Sequence, residues 1–114
     1  MAIGKLTRTT VLLLLLILTA AQTGCISDDQ DSDNRDQAIN EAQRAYAAKL
    51  AEGTDFSSGP CIAEEVIDDW SVDIAHDPRQ AIDDDPANQC TAYRNGTTHH
   101  FVELDPEGNL IRAK

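Results

Sequence analysis

Three hydropathy patterns follow one another along the chain. Val11–Leu18 is an unbroken apolar run, extended weakly through Thr19-Ala20-Ala21. Ile39, Ala42, Tyr46 and Leu50 then fall at i, i+3, i+7 and i+11, tracing one face of a helix. Trp70, Val72 and Ile74 alternate with Ser71, Asp73 and Ala75, the period of a half-buried strand. Thr91–Arg94 and Thr97–Asp105 flank Asn95-Gly96, the preferred dipeptide of a type I′ hairpin turn. Asp105-Pro106-Glu107-Gly108 reads as a type I turn, with Gly108 able to take positive φ before Leu110–Ala113 returns as the last strand.

Local signals refine these elements. Asn34 with Gln37 three positions on predicts a capping box, and Asp33 and Asp36 suit the positive end of a helix dipole. Ala38, Ala45, Ala47, Ala48 and Ala51 supply helix propensity, and Gly53 sits where a left-handed residue ends the helix. The stripe is narrow and Ala-rich, so this helix should lie closely against a sheet. Cys61–Ile67 is compatible with a short strand or one helical turn. Arg79–Ala87 reads as an exposed loop, because Asp83-Asp84-Asp85-Pro86 suits neither a helix core nor a central strand. The expected fold class is α+β: an N-terminal helix packed on a small antiparallel β-meander of three to four strands. The helix-first order and the VELDPEGNLI turn resemble small cystatin-like or PepSY-like export domains in topology, a likeness that transfers no functional residue.

The first apolar run has a different meaning. It follows Lys5 and Arg8 with no acid before it, and it falls short of the roughly 20 residues needed to span a bilayer. This is the make-up of a secretory signal, so residues 1–24 are set apart from the fold. Gln22-Thr23-Gly24-Cys25 resembles the lipobox of bacterial lipoprotein precursors, in which a small residue precedes a cysteine that is lipidated and becomes the new N-terminus. The resemblance implies a lipid at Cys25, attachment to the membrane through it, and a place in the cell envelope. Gln22 stands where that family usually carries an aliphatic residue. The competing expectation is cleavage after Ala21, with Thr19 and Ala21 as the small residues, giving a secreted protein.

Three cysteines in an exported chain leave one over. Lipidating Cys25 accounts for it and leaves Cys61 and Cys90 as a disulfide pair for an oxidising compartment. Beyond the signal, seven bases face all twenty acids, a net charge of −13 against −11 for the whole chain. Such a chain repels nucleic acid and anionic headgroups. Ile26–Asp36 is acidic and almost free of apolar side chains, which predicts a disordered tether over 25–36. The folded part, 37–114, is then a thin-cored domain of the size that commonly needs a staple.

Candidate chemistry is sparse. His99 and His100 are neighbours, so a regular strand sends them to opposite faces, and only one could join His76 with Glu103 or Asp73 around a metal. Glu64-Glu65, Asp68-Asp69 and Asp83–Asp85 read as solvated acids rather than a catalytic pair, and Ser57-Ser58 lacks the context of an esterase elbow. No catalytic residue, metal ligand or cofactor is assigned. Asn95-Gly96-Thr97 matches a glycosylation acceptor but already serves as a turn. Trp70 reads as core; the alternative is an exposed recognition patch shared with His76, Arg79, His99 and Phe101. The expected role is a binding or structural module at the envelope, with an envelope protein or small ligand as partner. Its rivals are a small inhibitor with Asn95-Gly96 at a protruding tip, and a small metal-dependent enzyme.

Overall fold

The computed structural model describes residues 27–114. Helix α1 spans Ser27–Ala51, and four strands follow: β1 (Cys61–Ile67), β2 (Trp70–Ile74), β3 (His100–Leu104) and β4 (Leu110–Ala113). The fold is α+β, as expected, with the helix laid chiefly against β1 and the sheet ordered β1-β2-β3-β4.

The alanines of α1 let it approach the sheet closely. Ala38 and Ala42 are fully buried against Ile62, Trp70, Val72, Ile74, Val102 and Leu104, while Ile39 and Tyr46 pack at the edge of this core. Leu50, expected on the same face, is 55% exposed. A Schellman motif ends α1: Gly53 takes φ +82°, Thr54 N–H donates to the Lys49 carbonyl at 3.1 Å, and Gly53 N–H donates to the Leu50 carbonyl at 3.0 Å.

The start of α1 corrects the sequence reading. Ser27–Asp36 is helical where a disordered tether was expected, so Asn34 and Gln37 lie inside the helix rather than at its cap. These turns extend a helix that the buried Ala38 and Ala42 already hold on the sheet, and propagation is far less costly than nucleation. Asp29, Asp31 and Asp33 favour the positive end of the dipole. Arg35 Nε donates to the Ala113 carbonyl at 3.1 Å, tying this part to β4.

β1 and β2 form an antiparallel hairpin, with Ile67 opposite Trp70 and only Asp68-Asp69 between the strands. Asp69 takes φ +69°, the left-handed conformation that aspartate tolerates better than most residues. β2 then pairs with β3 in parallel, from Trp70 with His100 to Ile74 with Leu104. A parallel pair cannot be closed by a tight turn. The connection between them carries 3₁₀ turns at Ala81–Asp84 and Pro86–Asn88 and a one-turn helix, α2 (Thr91–Arg94).

Thus Asn95-Gly96 is not a hairpin turn, and the sheet is mixed rather than a pure meander. Gly96, at φ +80°, ends α2 in a second Schellman motif, with Thr97 N–H donating to the Ala92 carbonyl at 2.8 Å. The protruding hairpin tip that the inhibitor reading placed at Asn95-Gly96 is not formed there. β3 and β4 do form the expected hairpin: Gly108 N–H donates to the Asp105 carbonyl at 2.9 Å, and Gly108 has φ +89°.

Candidate functional site on the back of the sheet

Strand alternation sends Val72, Val102 and Leu104 towards α1 and the intervening residues to the opposite face. Strand register then lines that back face with two rows. Cys61, Asp73, Glu103 and Arg112 lie side by side across all four strands, and Ser71 is opposite Phe101, whose backbone exchanges hydrogen bonds with Lys114. The crossover contributes Arg79, Gln89, Cys90 and Tyr93 from above. Together they enclose a cavity of about 250 Å³.

Its covering is covalently pinned. Cys61 at the start of β1 is bridged to Cys90, the residue before α2, with Cα atoms 4.8 Å apart. The expected disulfide is therefore present. Glu64 on β1 adds a second attachment, its carboxylate accepting from the Thr91 and Ala92 N–H groups at 3.1 and 2.7 Å. Asp83 holds the other end of the crossover. Buried among 3₁₀ turns, it accepts from His76 N–H at 3.0 Å and Gln80 N–H at 2.8 Å, and its Oδ1 lies 2.9 Å from His76 Nδ1. Burial acts to raise the Asp83 pKa, but these bonds from Gln80 and His76 prevail and hold it below the usual carboxylate value.

Inside the cavity the two acids have opposite fates. Glu103 is 2% exposed and fully engaged: Arg79 Nη1 donates to its Oε1 at 2.7 Å, and Arg112 Nε donates to its Oε2. Arg79 also donates through its other two nitrogens, Nε to Asp84 at 2.9 Å and Nη2 to the Asp83 carbonyl. The Asp84 bond, with the contacts to Glu103, raises the Arg79 pKa against the effect of burial. Asp73 Oδ1, by contrast, is buried without a hydrogen-bond partner among the described residues. Burial first, and the Glu103 charge second, push the Asp73 carboxyl up to about 7, against the pull of Arg79 and Arg112. An aromatic wall completes the site: Tyr93 meets Phe101 edge to face at 5.0 Å, and the Arg112 guanidinium lies 5.3 Å from the Phe101 ring centre.

The residues singled out from sequence as one patch are divided by this architecture. Arg79 and Phe101 share the cavity. Trp70 is buried on the helix face and stacks on His100 at 4.7 Å, the core position read for it. His76 is taken up by Asp83, and His99 Nδ1 sits on the exposed Asp69 carboxylate at 2.7 Å. Hydrogen bonding from His99 holds the Asp69 pKa down. His100 Nε2 approaches the same carboxylate at 3.7 Å, because His99 lies just outside β3 and is freed from strict alternation.

Among the described residues, His76 does not converge with His99 or His100. The cluster of metal-type donors found there, Cys61, Glu64 and Cys90, has both sulfurs in the disulfide. Asp73 and Glu103 entered the sequence reading only as optional metal ligands, while Tyr93, Arg112 and Lys114 carried no signal in that role. Parity was the available clue, since WSVDI and HFVEL each put an acid out of phase with the apolar set.

Compared with known proteins, the chain matches no family model, no curated protein and no solved structure. Cys25 and the apolar run before it lie outside the described residues. Among those described, no helix is long and apolar enough to cross a membrane.

Proposed function

We propose that the chain is an exported, lipid-anchored binding module of the cell envelope, and that its ligand occupies the back-face cavity. The observation that carries the binding role is the buried, unpartnered Asp73 Oδ1 inside a cavity whose other acid, Glu103, is paired on both oxygens. Buried polar atoms are ordinarily paired, and leaving one unpaired costs about 1–3 kcal/mol. A ligand that supplies the missing donor recovers that cost on binding.

The anchor rests on the lipobox-like Gln22–Cys25 and on the cysteine count. With Cys61 bridged to Cys90, Cys25 is the remaining cysteine, and a disulfide suits an oxidising compartment. The exposed helical turns from Asp29 to Gln37 fit the same picture. At 1.5 Å per residue they make a stiff acidic spacer of roughly 13 Å on the side of the domain that leads to Cys25.

Export of the full chain in a bacterial host, detergent–water partition and intact-mass determination test the anchor. A detergent-phase species beginning at Cys25, carrying a diacylglycerol and gaining two mass units on reduction, is expected, and Cys25→Ser should move the protein to the aqueous phase. A water-soluble species beginning at Gln22 contradicts it.

A further inference from the structure

The back-face cavity also defines the kind of molecule it accepts; this inference rests on the cavity being the ligand site. We propose that it takes a small zwitterion with an apolar body, such as a free amino acid, its ammonium on Asp73, its carboxylate at Arg112 and Lys114, and its side chain against Tyr93 and Phe101.

Vacancies in the bonding pattern of the cavity select the ligand. Glu103 has both oxygens engaged, and Arg79 gives three of its five N–H groups to Asp84, Glu103 and the Asp83 carbonyl, so both are already heavily committed. Among the charged groups that line the cavity, the least committed are one buried acceptor, Asp73 Oδ1, and two cations nearer the rim, Arg112 with hydrogen bonding given only to its Nε, and Lys114. A simple anion would meet the Asp73 carboxyl at the cavity floor. A simple cation would meet Arg112 and Lys114 on its way in. A metal ion would find a single uncommitted carboxylate. A molecule carrying both charges satisfies both ends.

The spacing agrees. Asp73 and Arg112 occupy one register row with Glu103 between them. Two strand spacings separate their Cα atoms by about 9.6 Å. Arg112 Nε donates to the Glu103 that lies between them, so its guanidinium leans towards Asp73. The span suits an ammonium and a carboxylate a few bonds apart rather than the ends of an extended peptide. The edge-to-face Tyr93–Phe101 pair offers the apolar body a surface beside that axis.

Calorimetric titration of the mature protein in detergent micelles with L-phenylalanine, phenethylamine and 3-phenylpropionate tests the inference. The zwitterion should bind at least tenfold more tightly than either single-charge analogue. Asp73→Asn should weaken L-phenylalanine and phenethylamine by tenfold or more while leaving 3-phenylpropionate as tight or tighter. Lys114→Ala, a rim substitution remote from the core, should weaken L-phenylalanine and 3-phenylpropionate but not phenethylamine. A single-charge analogue that binds as tightly as the zwitterion, and still depends on Asp73 or Lys114, overturns the zwitterion while leaving the cavity as a ligand site. Absence of heat from all three probes at millimolar concentration, or binding indifferent to both substitutions, overturns the ligand site and the inference together.

Discussion

Gly108 shows how a single residue can carry two constraints. Its φ of +89° favours glycine, and a Cβ built there would lie 2.6 Å from Tyr46 Cε1. Tyr46 is not free to retreat, because its hydroxyl donates to the Pro106 carbonyl at 2.8 Å and its ring stacks on Phe56 at 4.7 Å. Gly53 has a similar φ, +82°, with nothing within 4 Å of a Cβ. Gly108→Ala should therefore cost the left-handed penalty of roughly 1–2 kcal/mol and a further 1–3 kcal/mol or so from overpacking. Gly53→Ala should cost the first alone. Urea unfolding of the two variants side by side checks this, and equal losses would mean that Tyr46 yields.

At the scale of elements, the sequence revealed most where a pattern had one structural meaning. The alternation in Trp70–Ile74, the Asp105–Gly108 turn and the Gly53 helix end each led to the element observed. Asn95-Gly96 misled because its left-handed residue serves a helix C-terminus as well as a hairpin, and only the parallel pairing of β2 with β3 decides between them. The tight hairpin lies instead at Asp68-Asp69, a weaker turn signal. Ser27–Asp36 carries no apolar face, so periodicity could not reveal a helix there.

The back-face site was legible only in part, because its members come from four strands and a crossover whose register no local pattern states. The disulfide was legible by counting. It closes a span of 29 residues and pins α2 over the cavity. Cys61→Ser should lower stability by about 3.5 kcal/mol in the chain-entropy view, seen as a reduced melting temperature that reductant lowers no further. A variant that melts with the native protein would show that Glu64 and the crossover hold α2 without the bridge.

For the whole molecule, hydrogen-bonded and unpaired carboxylates set stability against pH in opposite directions. Asp83 and Asp105 are depressed. Burial opposes this at Asp105 too, but the Asn109 side chain and the Asn109 and Glu107 N–H groups outweigh it. Their contributions are present above the unfolded carboxylate value and lost as pH falls through the lowered ones. Asp73 has the reverse sign. With its folded value at about 7 against 3.8 for the free group, the native chain keeps a proton that the unfolded chain has already released. That stabilisation is complete below about pH 4 and is lost as pH rises through 7, a swing on the order of 4 kcal/mol. Stability should therefore peak at mildly acidic pH.

The central claim is that the back of the sheet is a built site around an unpaired acid. A carbon-13 titration of the Asp73 carboxyl in the mature protein tests it most directly. A midpoint near 7, falling when L-phenylalanine is added, is the expected result. A midpoint near 4 would show a carboxyl already solvated or paired, and would contradict the account.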